Sequence, residues 1–168
     1  MNGGTFHRMI MFEVPGIPLA KAKTVGMRGG HAMSYNKAPV KNYMALVRMA
    51  ATDARLRFEA PLPFDGPVNL CIVAVFPRPK RLLGRYRDGT LKGGAIEGRM
   101  PMPSKPDLAN LIKGLEDGIN GSGLWTDDCQ VCGYDGTRKC YGAIGEVPHV
   151  EVMVSSLPDI DRQDVGGL

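Results

Sequence analysis

The stretch from Lys105 to Val131 constrains the fold more than any other, because it joins a one-sided helix to carboxylates at and beyond its ends. Leu108, Leu111, Ile112, Leu115 and Ile119 recur at helical spacing and make an apolar stripe. Such a stripe has to dock on another layer, so the segment predicts a helix from about Asp107 or Ala109 to Ile119, stopped by Asn120-Gly121 and packed on a sheet. The opposite side presents Asn110, Lys113 and Asp117 on one solvent- or cleft-facing stripe. Asp107 stands at the helix start, where free amides and the positive dipole end favour a carboxylate. Ser104-x-x-Asp107 also fits a capping box, which needs no function. Asp127-Asp128 follow Trp125 where the next strand is expected to begin. A helix antiparallel to that strand returns it toward the helix start, and two carboxylates brought together repel unless a cation or a proton compensates. The expectation is that Asp107 and Asp128 share a divalent cation. Magnesium suits so sparse an oxygen site, since it keeps several waters and accepts one or two carboxylates plus phosphate. A polar turn before a strand is the plainer reading of Asp127-Asp128.

The 168 residues suffice for one domain with a real core and are too few for two ordinary ones. With 43% hydrophobic and 23% charged residues, wholesale disorder is excluded. The longest apolar run, Val68 to Phe76, is far short of a membrane span and reads as a buried strand. The first residues show no export signal, so a cytoplasmic protein is expected. Cys71, Cys129, Cys132 and Cys140 are then expected as reduced thiols. Cys129, Cys132 and Cys140 could supply three zinc ligands but lack a fourth at the usual spacing; the simpler reading makes them small strand residues.

Charge is uneven. Residues 77–105 carry eight basic side chains (Arg78, Lys80, Arg81, Arg85, Arg87, Lys92, Arg99, Lys105) against two acids, so this segment is strongly positive and the rest of the chain slightly negative. A Gly- and Pro-punctuated segment of that kind suits a mobile loop that gathers phosphates. Upstream, Arg8 to Pro15 reads as a strand, followed by a Gly-rich excursion bearing Lys21, Lys23 and Arg28 that returns through His31 to Tyr35. Apolar positions recur at three and four from Pro39 to Phe58 and predict a first helix with Pro39 in its first turn. Gln130 to Lys139 and His149 to Ser155 read as two further strands. The domain is expected to occupy 1–156, with 157–168 as a tail.

Lys105-Pro-Asp-Leu-x-Asn-Leu-x-Lys113, then Asp117-x-Ile-Asn-Gly121, then Trp125-x-Asp-Asp-x-Gln-Val131 resembles the RusA-type Holliday-junction resolvases, phage-encoded members included. Val14-Pro-Gly-Ile-Pro-Leu-Ala-Lys-Ala-Lys23, the Gly66-Pro-Val strand and Lys139-Cys-Tyr-Gly142 are also similar to that family. The resemblance implies a small α/β (α+β) domain with a mixed β-sheet packed by two main helices, working as a homodimer. It implies a structure-selective endodeoxyribonuclease that resolves four-way DNA junctions with Mg2+ or Mn2+, in recombination and repair. Position by position it makes Asp107 and Asp128 metal-binding carboxylates, Lys113 a catalytic or phosphate-contacting base and Asp127 a supporting ligand. Asn110, Asp117, Asn120 and Gln130 become supporting or structural residues. Lys21, Lys23, Arg28, Arg78, Lys80, Arg81 and Lys105 are candidates for DNA-backbone contacts.

One position departs from the family pattern. Where a second aspartate usually stands two residues after the first, this chain has Ala109. Either another carboxylate (Asp127, Asp117 or Glu116) substitutes, or the protein binds junction DNA with impaired or no cutting, or the aspartate was replaced deliberately to trap an inactive form. A zinc-bearing nucleic-acid module built on Cys129, Cys132 and Cys140 is a further reading.

Overall fold

The computed structural model describes residues 8–21, 24–29, 31–35, 37–59 and 62–157. Its centre is β4 (Val68–Phe76), in which every residue but the half-exposed Cys71 is buried. Gly66-Pro67 precede it and Pro77 stops it, because proline cannot continue the hydrogen-bonded ladder. A strand apolar on both faces belongs in the middle of a sheet. β8 (His149–Ser156) pairs antiparallel to β4 on one side, and β6 (Val131–Gly133) and β7 (Arg138–Tyr141) pair parallel to it on the other. β1 (Met9–Pro15) closes one edge against β8, and β5 (Met100–Pro101) closes the other against β7. The six strands make a mixed sheet, β1-β8-β4-β7-β5 with β6 on β4. Parallel neighbours require a crossover, and α2 (Leu108–Ile119) lies in it between β4 and β6.

α1 (Ala38–Leu56) buries Tyr43, Val47 and Ala51, and α2 buries Leu111, Leu115 and Ile119. These join Ile10, Val14, Leu70, Ile72, Val152 and Trp125 in one core. Each large aliphatic side chain so buried is worth about 2 kcal/mol. The helices meet at Gly118, where an added methyl would lie 2.8 Å from Cβ and Cγ1 of Val47. One turn earlier, Gly114 gives room for the chain at Lys21, whose amide donates to the Asn110 carbonyl at 3.0 Å. The α+β class, the mixed sheet and the two main helices thus agree with the expectation from sequence.

Three local readings change. The excursion after β1 contains an antiparallel hairpin, β2 (Thr24–Arg28) with β3 (His31–Tyr35); Lys23 lies outside the described residues, as do 158–168 of the expected tail. The strand expected over Gln130 to Lys139 is two short ones, β6 and β7, split by a turn in which Gly136 takes φ +81°. Asn69 accepts the Asp135 amide at 2.8 Å in that turn and covers the register shift in β4. The basic 77–105 segment, expected as a mobile loop, carries structure of its own: two short 3-10 turns, an Arg85–Leu91 bridge and β5. Arg78 ties it down by donating to the carbonyls of Gly142, Ile96 and Gly98.

Candidate active site along the second helix

Asp107 is the N-cap residue of α2, in extended conformation, and its side chain makes no capping bond. Ser104 is not in a capping box either; its hydroxyl pairs with that of Tyr141 at 3.0 Å. Among the described residues the exposed Asp107 carboxylate has no hydrogen-bond or ion-pair partner. The cap that would explain this aspartate without a function is absent.

Asp128 sits at the other end of the helix. Its Oδ2 accepts from Nδ2 of Asn120, the C-cap residue of α2, at 3.1 Å. Asn120 is oriented in turn by buried Trp125, whose Nε1 donates to Asn120 Oδ1 at 2.7 Å. An indole N–H can only donate, so the oxygen of the amide must face the tryptophan and its NH2 must face Asp128. The order Trp125, Asn120, Asp128 is therefore fixed by chemistry. Asp127 caps the short 3-10 turn Asp128–Gln130: its Oδ1 accepts the Cys129 amide at 2.9 Å, which holds its carboxyl below the usual range. Gln130 closes the box, accepting from the Thr126 and Asp127 amides and donating to the carbonyls of Phe64 and Gly66.

The expected meeting of Asp107 with Asp128 within one chain does not occur. The twelve residues of α2 separate its ends by about 18 Å. The strand does return toward the helix start as expected, but Asp128 precedes that strand and stays at the far end. What the return delivers to the helix start is Lys139 of β7, whose Nζ donates to the carbonyls of Ser104 and Pro106, both at 2.6 Å. The Lys139 segment belongs to the sequence pattern without a role of its own there; its alternation with Tyr141 on one face of β7 is the available signal.

Around the C-terminal half of α2 the carboxylates crowd. Burial pushes the Glu116 carboxyl up, and the charges of Asp128 and Asp117 add to this against a hydrogen bond from Tyr134. Burial, then Glu116, pushes the Tyr134 hydroxyl up to about 12. Lys113 is exposed on the same helix. Asp117, expected as a supporting or structural residue, is paired with Lys21, so Lys21 is not the free cation that sequence suggested. Arg78 is likewise committed to carbonyls. Arg28 ends β2, whereas Lys80, Arg81 and Lys105 are exposed. Ala109 is exposed in the first turn of α2, one residue beyond Leu108.

A second acidic group lies elsewhere. Glu146, His149 and Glu151 bring ligand atoms within 4.8 Å of one another, the one such trio among the described residues. Arg99 occupies it, with Nη2 2.5 Å from Glu146 Oε1 and 2.6 Å from Glu151 Oε1. The guanidinium holds both carboxyls below their usual range and is itself raised by them. His149 is 7% exposed and its Nδ1 is 2.8 Å from the Val147 carbonyl, so Nδ1 carries a proton. Burial opposes a second proton on the ring, but the Val147 carbonyl, Glu151 and Glu13 outweigh it and raise the pKa. A metal would have to displace Arg99 here, so this group is a closed internal network. The zinc reading finds no geometry. Cys140 is buried with Val73 and Val75, Cys129 and Cys132 are exposed, and all are free thiols.

With that geometry in view, comparison with known proteins assigns the class. Residues 15–155 match the family described as endodeoxyribonuclease RusA, and the chain belongs to that family. Among its relatives, YqaN of Bacillus subtilis (strain 168), described as an uncharacterized protein, is 30% identical over 146 residues, which span 86% of this chain and 94% of that one. Among the described residues no helix is long and apolar enough to cross a membrane.

Proposed function

We propose that this protein is a structure-selective endodeoxyribonuclease that cuts four-way DNA junctions by paired, metal-dependent hydrolysis, acting as a homodimer. The observation that carries the proposal is the state of the two motif carboxylates. Asp107 is exposed and unclaimed at one end of α2, and Asp128 is exposed and aimed by Asn120 at the other. Asp107 has no structural employment that would account for it, and the bond that Asp128 accepts is the one that aims it.

Carboxylate oxygens are the donors that Mg2+ and Mn2+ prefer, so the residues fit the metal by chemistry. They do not fit it within one copy, because the helix holds them apart. A homodimer in which each copy contributes Asp107 to one site and Asp128 to the other would bring the two carboxylates together twice. A divalent cation so held would polarise a phosphoryl oxygen and lower the pKa of a water. Lys113, exposed on the same helix, would offset charge that builds on the phosphate in the transition state. Exposed Lys80, Arg81 and Lys105 supply contacts to the DNA backbone, which give affinity without reading sequence. Such a protein acts in recombination and repair, in the cytoplasm of a bacterial or phage-infected cell.

Ala109 supports a second reading, a junction-binding protein with impaired cutting, since no carboxylate stands there to complete the site. Incubating the purified chain with a labelled four-way junction in Mg2+ or Mn2+, beside an Asp128→Asn control, separates the two. Symmetric nicks that vanish in the control are the expected result. Tight binding without nicks in either metal would leave only the binder.

A further inference from the structure

We infer that Lys139 is a positioning residue for Asp107. The inference rests on the proposed role of Asp107 in holding a cation. Lys139 and Tyr141 alternate on the face of β7 that looks toward the start of α2. Together they grip the chain that leads into the helix. Lys139 Nζ donates to the carbonyls of Ser104 and Pro106, and the Tyr141 hydroxyl pairs with that of Ser104. The Lys139 carbonyl also accepts the Met102 amide at 3.4 Å. The Pro106 carbonyl belongs to the peptide that joins Pro106 to Asp107, so the ammonium fixes the plane from which the Asp107 side chain departs.

This grip supplies what Asp107 lacks. An N-cap aspartate is ordinarily held by its own bond to the helix amides. Here that bond is absent and the carboxylate is left open. Its direction then depends on the backbone before it, and that backbone is held from β7. Lys139 makes two of its three possible donations to these carbonyls. Asp128 is aimed by an equivalent device, the Trp125–Asn120 pair, at the opposite end of the helix.

Mn2+ binding to the full-length protein, followed by the electron paramagnetic resonance of free Mn2+, tests this without needing catalysis. Lys139→Met removes the donors and keeps the bulk; Lys139→Arg keeps donors of similar reach; Asp107→Asn removes the ligand. Mn2+ affinity is expected to fall about tenfold or more in Lys139→Met, the usual effect of losing a group that orients a ligand, and to stay within about threefold of the parent in Lys139→Arg. Lys139→Leu replaces the methionine variant if that one does not fold. Parental affinity in Lys139→Met, with Asp107→Asn impaired, overturns the positioning role alone. Equal losses in the arginine and methionine variants also overturn it, since the donors would then be irrelevant. No Mn2+ binding by the parent, or binding indifferent to Asp107→Asn, removes the cation site and this role with it.

Discussion

Two groups of acidic side chains among the described residues are treated oppositely by the chain. Around Arg99, two glutamates and a histidine close on an internal cation and satisfy one another. Along α2, Asp107 and Asp128 are exposed at the helix ends, and the protein spends other residues on aiming Asp128 and, by our inference, Asp107. A carboxylate neutralised from within is architecture. One that is oriented yet left open is available to something outside the chain. By proximity alone the Arg99 group is the better metal cage, and it is the presence of the guanidinium that decides against it.

The sharpest way to break this contrast is to remove a charge from each set. Asp128→Asn should lower junction nicking by at least about a hundredfold while the thermal midpoint stays near the parent's, as gel assays and calorimetry would register. The reverse pattern is expected of Arg99→Met. Nicking should persist while stability drops by about 1–2 kcal/mol in urea titration, a figure reduced for the partial exposure of the pair. Were Arg99→Met to abolish cutting without loss of stability, the closed network would be the functional one.

Asn120→Ala should sharpen the view of the open set. It leaves Asp128 in place and frees it to turn, so nicking at limiting metal should fall about tenfold and recover in part at high Mn2+. A smaller effect concerns pH. Glu146 and Glu151 have depressed pKa values, so their contribution is present above the ordinary glutamate range and fades as pH falls through the folded values. The stability gap between the parent and Arg99→Met should therefore narrow below about pH 4.3. His149, raised, contributes in the other sense: its stabilisation is full below about pH 6.5 and is lost as pH climbs through its folded value. Smallest of all, neutralising Lys80 or Arg81 should weaken junction binding a few-fold and reduce the salt slope by about one per residue, in titrations at several salt concentrations.

Much of this was legible in the sequence, for reasons that can be named. β4 is legible to the residue because prolines bound an apolar run interrupted only by Asn69, and α2 to within a residue because its stripe is regular. The motif carboxylates were legible as residues, while their placement was not. The antiparallel return is legible in the sequence, but it acts on the strand after Asp128, so it carries Lys139 to the start of α2 and leaves Asp128 behind. Arg99 was one basic residue among eight in a segment that looked unstructured, and nothing local marks the partners it finds in β8 and in the loop before it. Arg78 and Lys21 look like free cations in the sequence for the same reason: spacing shows which residues are charged, and only the fold shows which charges are paired.

The twelve-residue length of α2 acquires a meaning of its own in the paired arrangement. In the dimer proposed above, with one carboxylate contributed from each end, the helix would act as a gauge, and its number of turns would set the interval between the two cuts. Inserting one turn would leave both ends chemically intact and move the cuts apart by about 5 Å, altering which branch geometries can be served without touching any reacting group.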